Sequence, residues 1–166
     1  EQRKKLSKRS GDVAIEDYRA KGFLPQAMVN YLALLGWGPP DGVEVRPIEE
    51  IIELFDLADV NPSSAMFDLK KLRAVNGDWI RMMPEAEFVD AGLEVLAAQP
   101  WGDRVDVDRW AAIAPEMQTR LAVMTELPDQ VDFLFLDEPA VDEAAWQKAV
   151  GGNEAASGIL DAAIDA

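Results

Sequence analysis

The chain has 166 residues, 49% of them apolar and 28% charged, with no cysteine, no histidine and a net charge of −15. This is the mix of a globular chain, long enough for one ordinary domain or two small ones, and not of a disordered tail. It excludes disulfides, thiolate nucleophiles, imidazole bases and Cys or His metal ligands, so any chemistry must use Lys, Arg, carboxylates, hydroxyls or backbone groups.

The predicted elements are almost all helical. A basic start, Arg3-Lys4-Lys5-Leu6-Ser7-Lys8-Arg9, has no apolar signal core behind it. Leu24, Ala27, Met28, Tyr31, Leu32 and Leu35 then recur at helical spacing, with Pro25 suited to the first turn and Gly36 to the stop. A short extended piece is possible around Val43 to Arg46. Ile48, Ile51, Ile52 and Phe55 repeat the helical pattern after Pro47. Asp68 suits an N-cap for a helix from Leu69 to Val75, with Asn76-Gly77 as its end.

Past Pro84, Phe88, Val89, Gly92, Leu93, Leu96 and Ala97 form another stripe, broken by Gln99-Pro100-Trp101-Gly102. Asp106 or Asp108 suits the cap of a helix holding Trp110 and Ile113, and Met117, Leu121 and Met124 continue after Pro115. Val131 to Leu136 fits a short strand or a buried helical turn equally. Val141, Ala145, Trp146, Ala149 and Val150 predict a helix before Gly151-Gly152. The expected fold is mainly α, with little or no sheet, in two small domains over 1–82 and 83–166. No apolar run approaches the roughly 20 residues of a membrane span. The chain begins at Glu1 and ends in a predicted helix over 155–166, so both ends are expected to be cuts in a longer chain.

Charge is divided unevenly. Residues 1–81 carry 12 Lys or Arg against 13 Asp or Glu, and residues 82–166 carry 4 against 18. Seven basic residues lie in 1–21 and four in 70–81, so local basic patches on an acidic body remain compatible with a phosphate backbone. The acidic residues of the second half show no metal-ligand spacing: Asp103, Asp106 and Asp108 lack the Gly and distal Glu of a calcium loop.

Lys5-Leu6-Ser7-Lys8-Arg9 places two lysines around a small hydroxyl residue. Lysine is a mobile point charge that can follow phosphates as charge moves onto a leaving pyrophosphate, and Gly11 lets such a loop open and close. Five residues alone equally suit a solvated basic run. Two further blocks sharpen the meaning: Gly22-Phe23-Leu24-Pro25-Gln26-Ala27-Met28-Val29-Asn30-Tyr31-Leu32-Ala33-Leu34-Leu35-Gly36-Trp37, and Phe67-Asp68-Leu69-Lys70-Lys71-Leu72 with Asn76-Gly77-Asp78-Trp79-Ile80. In this order and spacing the three resemble bacterial glutamyl-tRNA synthetases, of the class I aminoacyl-tRNA synthetases. The likeness is strong over residues 3–81 and weaker to about residue 138. Ser10 departs from the His common after this loop in that family.

The resemblance implies an ATP loop with Lys5 and Lys8 catalytic and Lys5, Ser7, Lys8 and Arg9 at ATP, which acts with Mg2+ in the intact parent. It implies a stem-contact region to residue 82 and a helical anticodon-binding domain after it, truncated at its C-terminus. It implies tRNA(Glu) and the N-terminal catalytic half of the same chain as partners, a cytoplasmic setting with no membrane, and no metal held by the protein. The chain alone is expected to be inactive and to bind no cofactor, because the nucleotide-binding half precedes Glu1 in that family.

Lys70, Lys71, Arg73 and Arg81 form a basic group on or near one helix, suited to phosphate contact or to an ordinary solvated face. Arg120 matches a family position near the third anticodon base, where a guanidinium fork suits base edges, or it pairs with Glu116 one turn earlier. Trp37 suits packing more than base stacking. The rival reading is a non-enzymatic helical module that binds tRNA or a protein.

Overall fold

A computed structural model describes residues 14–63, 65–138 and 141–151, together with 155, 156, 158 and 162. Among these there are eight α-helices and no strand. The chain divides into two compact units, one up to Phe135 and one from Leu136 onward.

The larger unit holds α1 (Ile15–Ala20), α2 (Pro25–Leu34), α3 (Ile48–Leu54), α4 (Leu69–Met82), α5 (Glu85–Ala97), α6 (Val107–Arg120) and α7 (Leu127–Val131). Short 3-10 turns fill Leu57–Asp59, Gly102–Arg104, Met124–Glu126 and Asp132–Leu134. The smaller unit holds α8 (Glu143–Trp146), continued by a π turn over Gln147–Gly151. Asp142 starts α8 by accepting from the amides of Ala144 and Ala145 at 2.9 and 3.0 Å.

Local chemistry starts the long helices where the sequence predicts. Pro25 stands in the first turn of α2, where its missing N–H costs nothing. Asp68 caps α4 by accepting from the Lys70 and Lys71 amides at 2.8 and 3.3 Å, and Asp106, rather than Asp108, caps α6 at the Arg109 amide at 3.0 Å. α6 runs through Pro115 without interruption.

Two apolar clusters meet at α4. Leu72 and Val75 join Tyr18, Phe23, Ala27, Met28, Tyr31 and Val123. Ile80, one turn further on, joins Phe88, Leu96, Trp110, Met117, Leu121, Leu127 and Val131. Both clusters exclude water almost fully, and each buried Leu, Ile or Phe contributes about 1.5–3 kcal/mol. Packing is continuous across residues 82–84: Gln118 of α6 donates from Nε2 to the carbonyls of Ile80 and Met83 at 2.8 and 2.7 Å, capping the last turn of α4.

Several expectations are corrected. Asn76-Gly77 does not end a helix; α4 continues to Met82 because both residues are buried by close contacts from another segment, which outweighs their weak helix propensity. Leu32 is half-exposed and not core. In α3 only Ile51 is buried, while Ile48 and Ile52 are exposed, and Phe55, just past its end, is half-exposed with its ring against Trp37. Val131 to Leu136 is the end of α7 and a 3-10 turn. The Val43 to Arg46 piece pairs with no strand; Asn30 supplies its partners, donating to Glu44 O at 2.8 Å and accepting from the Arg46 amide at 3.1 Å.

Candidate nucleic-acid interface

Lys5, Ser7, Lys8 and Arg9 lie outside the described residues. Of the predicted site residues, those that can be placed are Lys70, Lys71, Arg73 and Arg81 on α4 and Arg120 at the end of α6.

α4 is 14 residues long, about 21 Å. Lys70 and Arg81 are eleven residues apart, so at 3.6 residues per turn they point within about 20° of each other, some 16 Å apart along the axis. Lys71 is on the same solvent-facing half. Among the described residues Lys70 has no side-chain ion pair. Lys71 pairs with Glu44 at 2.7 Å and Arg81 with Asp78 at 2.6 Å, each partner about half exposed. Such pairs contribute about 0–1 kcal/mol, so either cation can exchange its carboxylate for a phosphate at small cost.

Arg73 differs. It points about 60° away from Lys70, toward the flank that carries Asn76. There its guanidinium is ion-paired with Glu126, 53 positions later. The other Glu126 oxygen accepts from the amides of Ala122 and Val123 at 2.9 and 3.2 Å. Burial raises the Glu126 carboxyl, but the Ala122 amide, Arg73 and the Val123 amide together hold it below its ordinary value.

The same flank makes two further close contacts. Asn76, fully buried, donates to Ala122 O at 2.6 Å and accepts from the Leu24 amide at 2.7 Å. A Cβ on Gly77 would sit 3.2 Å from Leu121 O. The 121–126 turn is also fastened to the α1–α2 connection. Met124 N donates to Gly22 O at 3.1 Å, and Thr125 Oγ1 donates to Lys21 O at 2.9 Å. Gly22 takes φ +78° and its missing Cβ would lie 2.6 Å from Thr125 N, so both conformation and contact require glycine.

Arg120 is the last residue of α6, exposed, immediately before this turn. Among the described residues no ion pair joins it to Glu116. Its side chain is available to a ligand.

Three residues central to this arrangement escaped sequence reasoning. Arg46 is 4% exposed and bonds Asp41 at 2.5 Å and Val43 O at 2.7 and 2.9 Å; it is a brace, not part of a basic patch. Asn30 also accepts from Trp79 Nε1 at 3.0 Å, so its bonds reach partners 14, 16 and 49 positions away. Gln118 is the third. The available signal was a polar residue inside an apolar stripe, which Asn30 and Gln118 both show. Trp37 is 3% exposed and packs against Phe55, which leaves no ring face for a base.

A cleft of about 430 Å³ opens between α2 and α3, lined by Pro25, Val29, Arg46, Ile48 and Trp79. Its lining is mainly apolar, and the Arg46 guanidinium beside it is already bonded within the fold. Among the described residues no three carboxylates stand close enough to hold a metal, and no helix is long and apolar enough to cross a membrane.

Comparison with known proteins accords with this geometry. Residues 1–74 match the catalytic-domain family of class I tRNA synthetases for E and Q, and residues 88–166 match an anticodon-binding domain family. The glutamate–tRNA ligase of Salinispora arenicola is 53% identical over the whole of this chain and 36% of the relative. That of Thermobifida fusca is 52% identical over 90% of this chain and 32% of the relative. The chain thus spans about a third of the length of the curated relatives it matches. Among solved structures, a glutamate tRNA ligase from Elizabethkingia meningosepticum superposes with a TM-score of 0.74 at 28% identity, over 90% of this chain and 33% of that one. The glutamate-tRNA synthetase of Elizabethkingia anophelis gives 0.68 at 29% identity, over 80% and 26%. With both domain families in succession on one helical chain, and glutamate–tRNA ligases as its relatives throughout, the chain belongs to the glutamyl-tRNA synthetase family of class I synthetases.

Proposed function

We propose that this chain is the tRNA-binding portion of a glutamate–tRNA ligase, a cytoplasmic enzyme that joins glutamate to tRNA(Glu) through glutamyl-adenylate, with ATP and Mg2+ as the substrate complex. The observation that carries this is the succession of catalytic-domain and anticodon-binding matches along one chain. The basic residues support it: an acidic body keeps Lys70, Lys71 and Arg81 on one solvent-facing helix side and Arg120 exposed at another helix's end.

In this reading the residues to about 82 hold the ATP loop and the stem-contact region, and those from 83 form the anticodon-binding part. Lys5 and Lys8, with Ser7 and Arg9, draw charge from the triphosphate as pyrophosphate leaves. Catalysis is positioning and electrostatic stabilisation, with no covalent enzyme intermediate. Lys70, Lys71 and Arg81 contact backbone phosphates, which position the nucleic acid without reading it. Arg120 reads the third anticodon base. The N-terminal catalytic half supplies the remaining ATP and glutamate site, so the 166 residues alone make no adenylate.

The test is Lys8→Ala in the full-length ligase, followed by glutamate-dependent pyrophosphate exchange. Activation should slow by about a hundredfold or more. A normal rate would remove Lys8 from the site, and adenylate formed by the 166 residues alone would overturn the division of labour.

A further inference from the structure

The Arg73–Glu126 pair does something that a surface ion pair normally does not. Both side chains are only partly buried, at 41% and 33% exposure, so the pair adds little to global stability. Yet Glu126 uses its two oxygens for different tasks. Oε1 meets Arg73 on α4, and Oε2 holds the amides of Ala122 and Val123. Those amides follow Arg120 by two and three residues. The chain leaves α6 at Leu121, whose backbone is extended at φ −76°, ψ 138°, so the path just after Arg120 depends on how the turn is held. Asn76 holds the turn at Ala122 O and Gly77 admits it closely, but neither meets an amide of the turn. Gly22 O takes the Met124 amide further along the turn, but the amides of Ala122 and Val123 are held by Glu126, and Arg73 anchors Glu126.

We infer that Arg73 is not a phosphate ligand of the α4 basic face but a positioning residue, which acts through Glu126 and the 121–126 turn to aim Arg120 at its base. The inference rests on the proposed role of Arg120 at the anticodon. It separates Arg73 from Lys70, which has no ion pair among the described residues, and from Lys71 and Arg81, whose partners Glu44 and Asp78 lie outside the 121–126 turn, so that the contribution of these three to binding is electrostatic. It also gives α4 two jobs on two sides: phosphate contact on one face, and on the flank alignment of a residue that reads sequence.

The experiment measures binding of tRNA(Glu) and of transcripts changed at the third anticodon base by the full-length ligase, over a series of salt concentrations. The proteins are wild type, Arg73→Met, Glu126→Gln, Arg120→Ala, Lys70→Met and the Arg73→Met/Arg120→Ala double variant. Arg120→Ala should lose third-base discrimination roughly fivefold or more, the amount a good side-chain-to-base contact provides. Arg73→Met and Glu126→Gln should each lose a substantial part of the same discrimination. Their slope of log affinity against log salt should stay at the wild-type value. The double variant should be no worse than Arg120→Ala alone. Lys70→Met, the control for phosphate contact, should lower the slope by about 0.7–0.9 with discrimination intact. A comparable slope change in Arg73→Met, or unchanged discrimination in both Arg73→Met and Glu126→Gln, overturns the positioning role. If Arg120→Ala itself keeps full discrimination, the anticodon reading of Arg120 fails, and the aiming role falls with it. Glu126→Gln preserves side-chain shape, so a fold defect confined to Arg73→Met does not decide the outcome.

Discussion

Gly92 of α5 leaves the space that the indole of Trp110 of α6 fills: a Cβ on residue 92 would lie 2.2 Å from Trp110 Cζ2. Trp110 is fully buried, and its Nε1 donates to Val89 O at 2.9 Å, so the ring cannot swing aside. Gly92→Ala should therefore destabilise by about 1–3 kcal/mol or more, although alanine is the better helix former. Trp110→Ala should cost about 3–5 kcal/mol. Urea unfolding of the two variants checks both, and a neutral Gly92→Ala would mean that the two helices are not packed this closely.

Asn76 satisfies one group on each of two distant segments, Leu24 N and Ala122 O. Asn76→Ala strands both in a site closed to water, at about 1–3 kcal/mol for each unmet group. The expected loss of roughly 2–4 kcal/mol is larger than the difference in helix propensity, which favours alanine. Denaturation midpoints compared with an exposed control, Ala74→Gly, separate the two effects.

Asn30 is a three-way junction, with bonds to Glu44 O, the Arg46 amide and Trp79 Nε1. Asn30→Leu keeps the branched four-atom side-chain skeleton and removes all three bonds. Stability should fall by about 3 kcal/mol or more, and the fluorescence of Trp79 should change as its indole N–H loses its acceptor. Unaltered emission would show that the bond is not kept in solution.

Glu126 carries a pH signature. Its folded-state carboxyl titrates below the ordinary value of 4.5, so its contribution is present above that pH and is lost as pH falls through the folded value. Glu126→Gln cannot titrate. The difference in melting temperature between wild type and Glu126→Gln should therefore be largest near neutrality and shrink below about pH 4.5. A difference that is constant down to pH 3.5 would contradict the bonding described for this carboxylate.

Arg46 and Arg81 provide a contrast within one residue type. Arg81→Gln should weaken tRNA binding and lower its salt slope by nearly one unit, with little effect on stability because its pair with Asp78 is exposed. Arg46→Gln should leave the slope unchanged and destabilise the 41–46 segment, whose carbonyl at Val43 and carboxylate at Asp41 it holds. Equal effects of the two variants on the slope would mean that the basic face extends beyond α4.

Helix placement was legible in the sequence because it depends on neighbours in the chain. Apolar spacing located α2, α5 and α6, and Asp68 announced the start of α4 while Asp106 or Asp108 announced that of α6, since a cap is a bond between residues two or three apart. Family membership was legible in the order of three blocks. The chemistry of the basic group was not. Lys70, Lys71, Arg73 and Arg81 are equivalent by composition and spacing, and Arg46 differs only in standing alone. Their fates diverge through partners brought in by folding, above all Glu126, 53 residues beyond Arg73. Asn76-Gly77 shows the same limit. Its side chains suit a helix end as well as a buried crossing, and only Leu121, Ala122 and Leu24, packed against it by the tertiary fold, decided for the crossing.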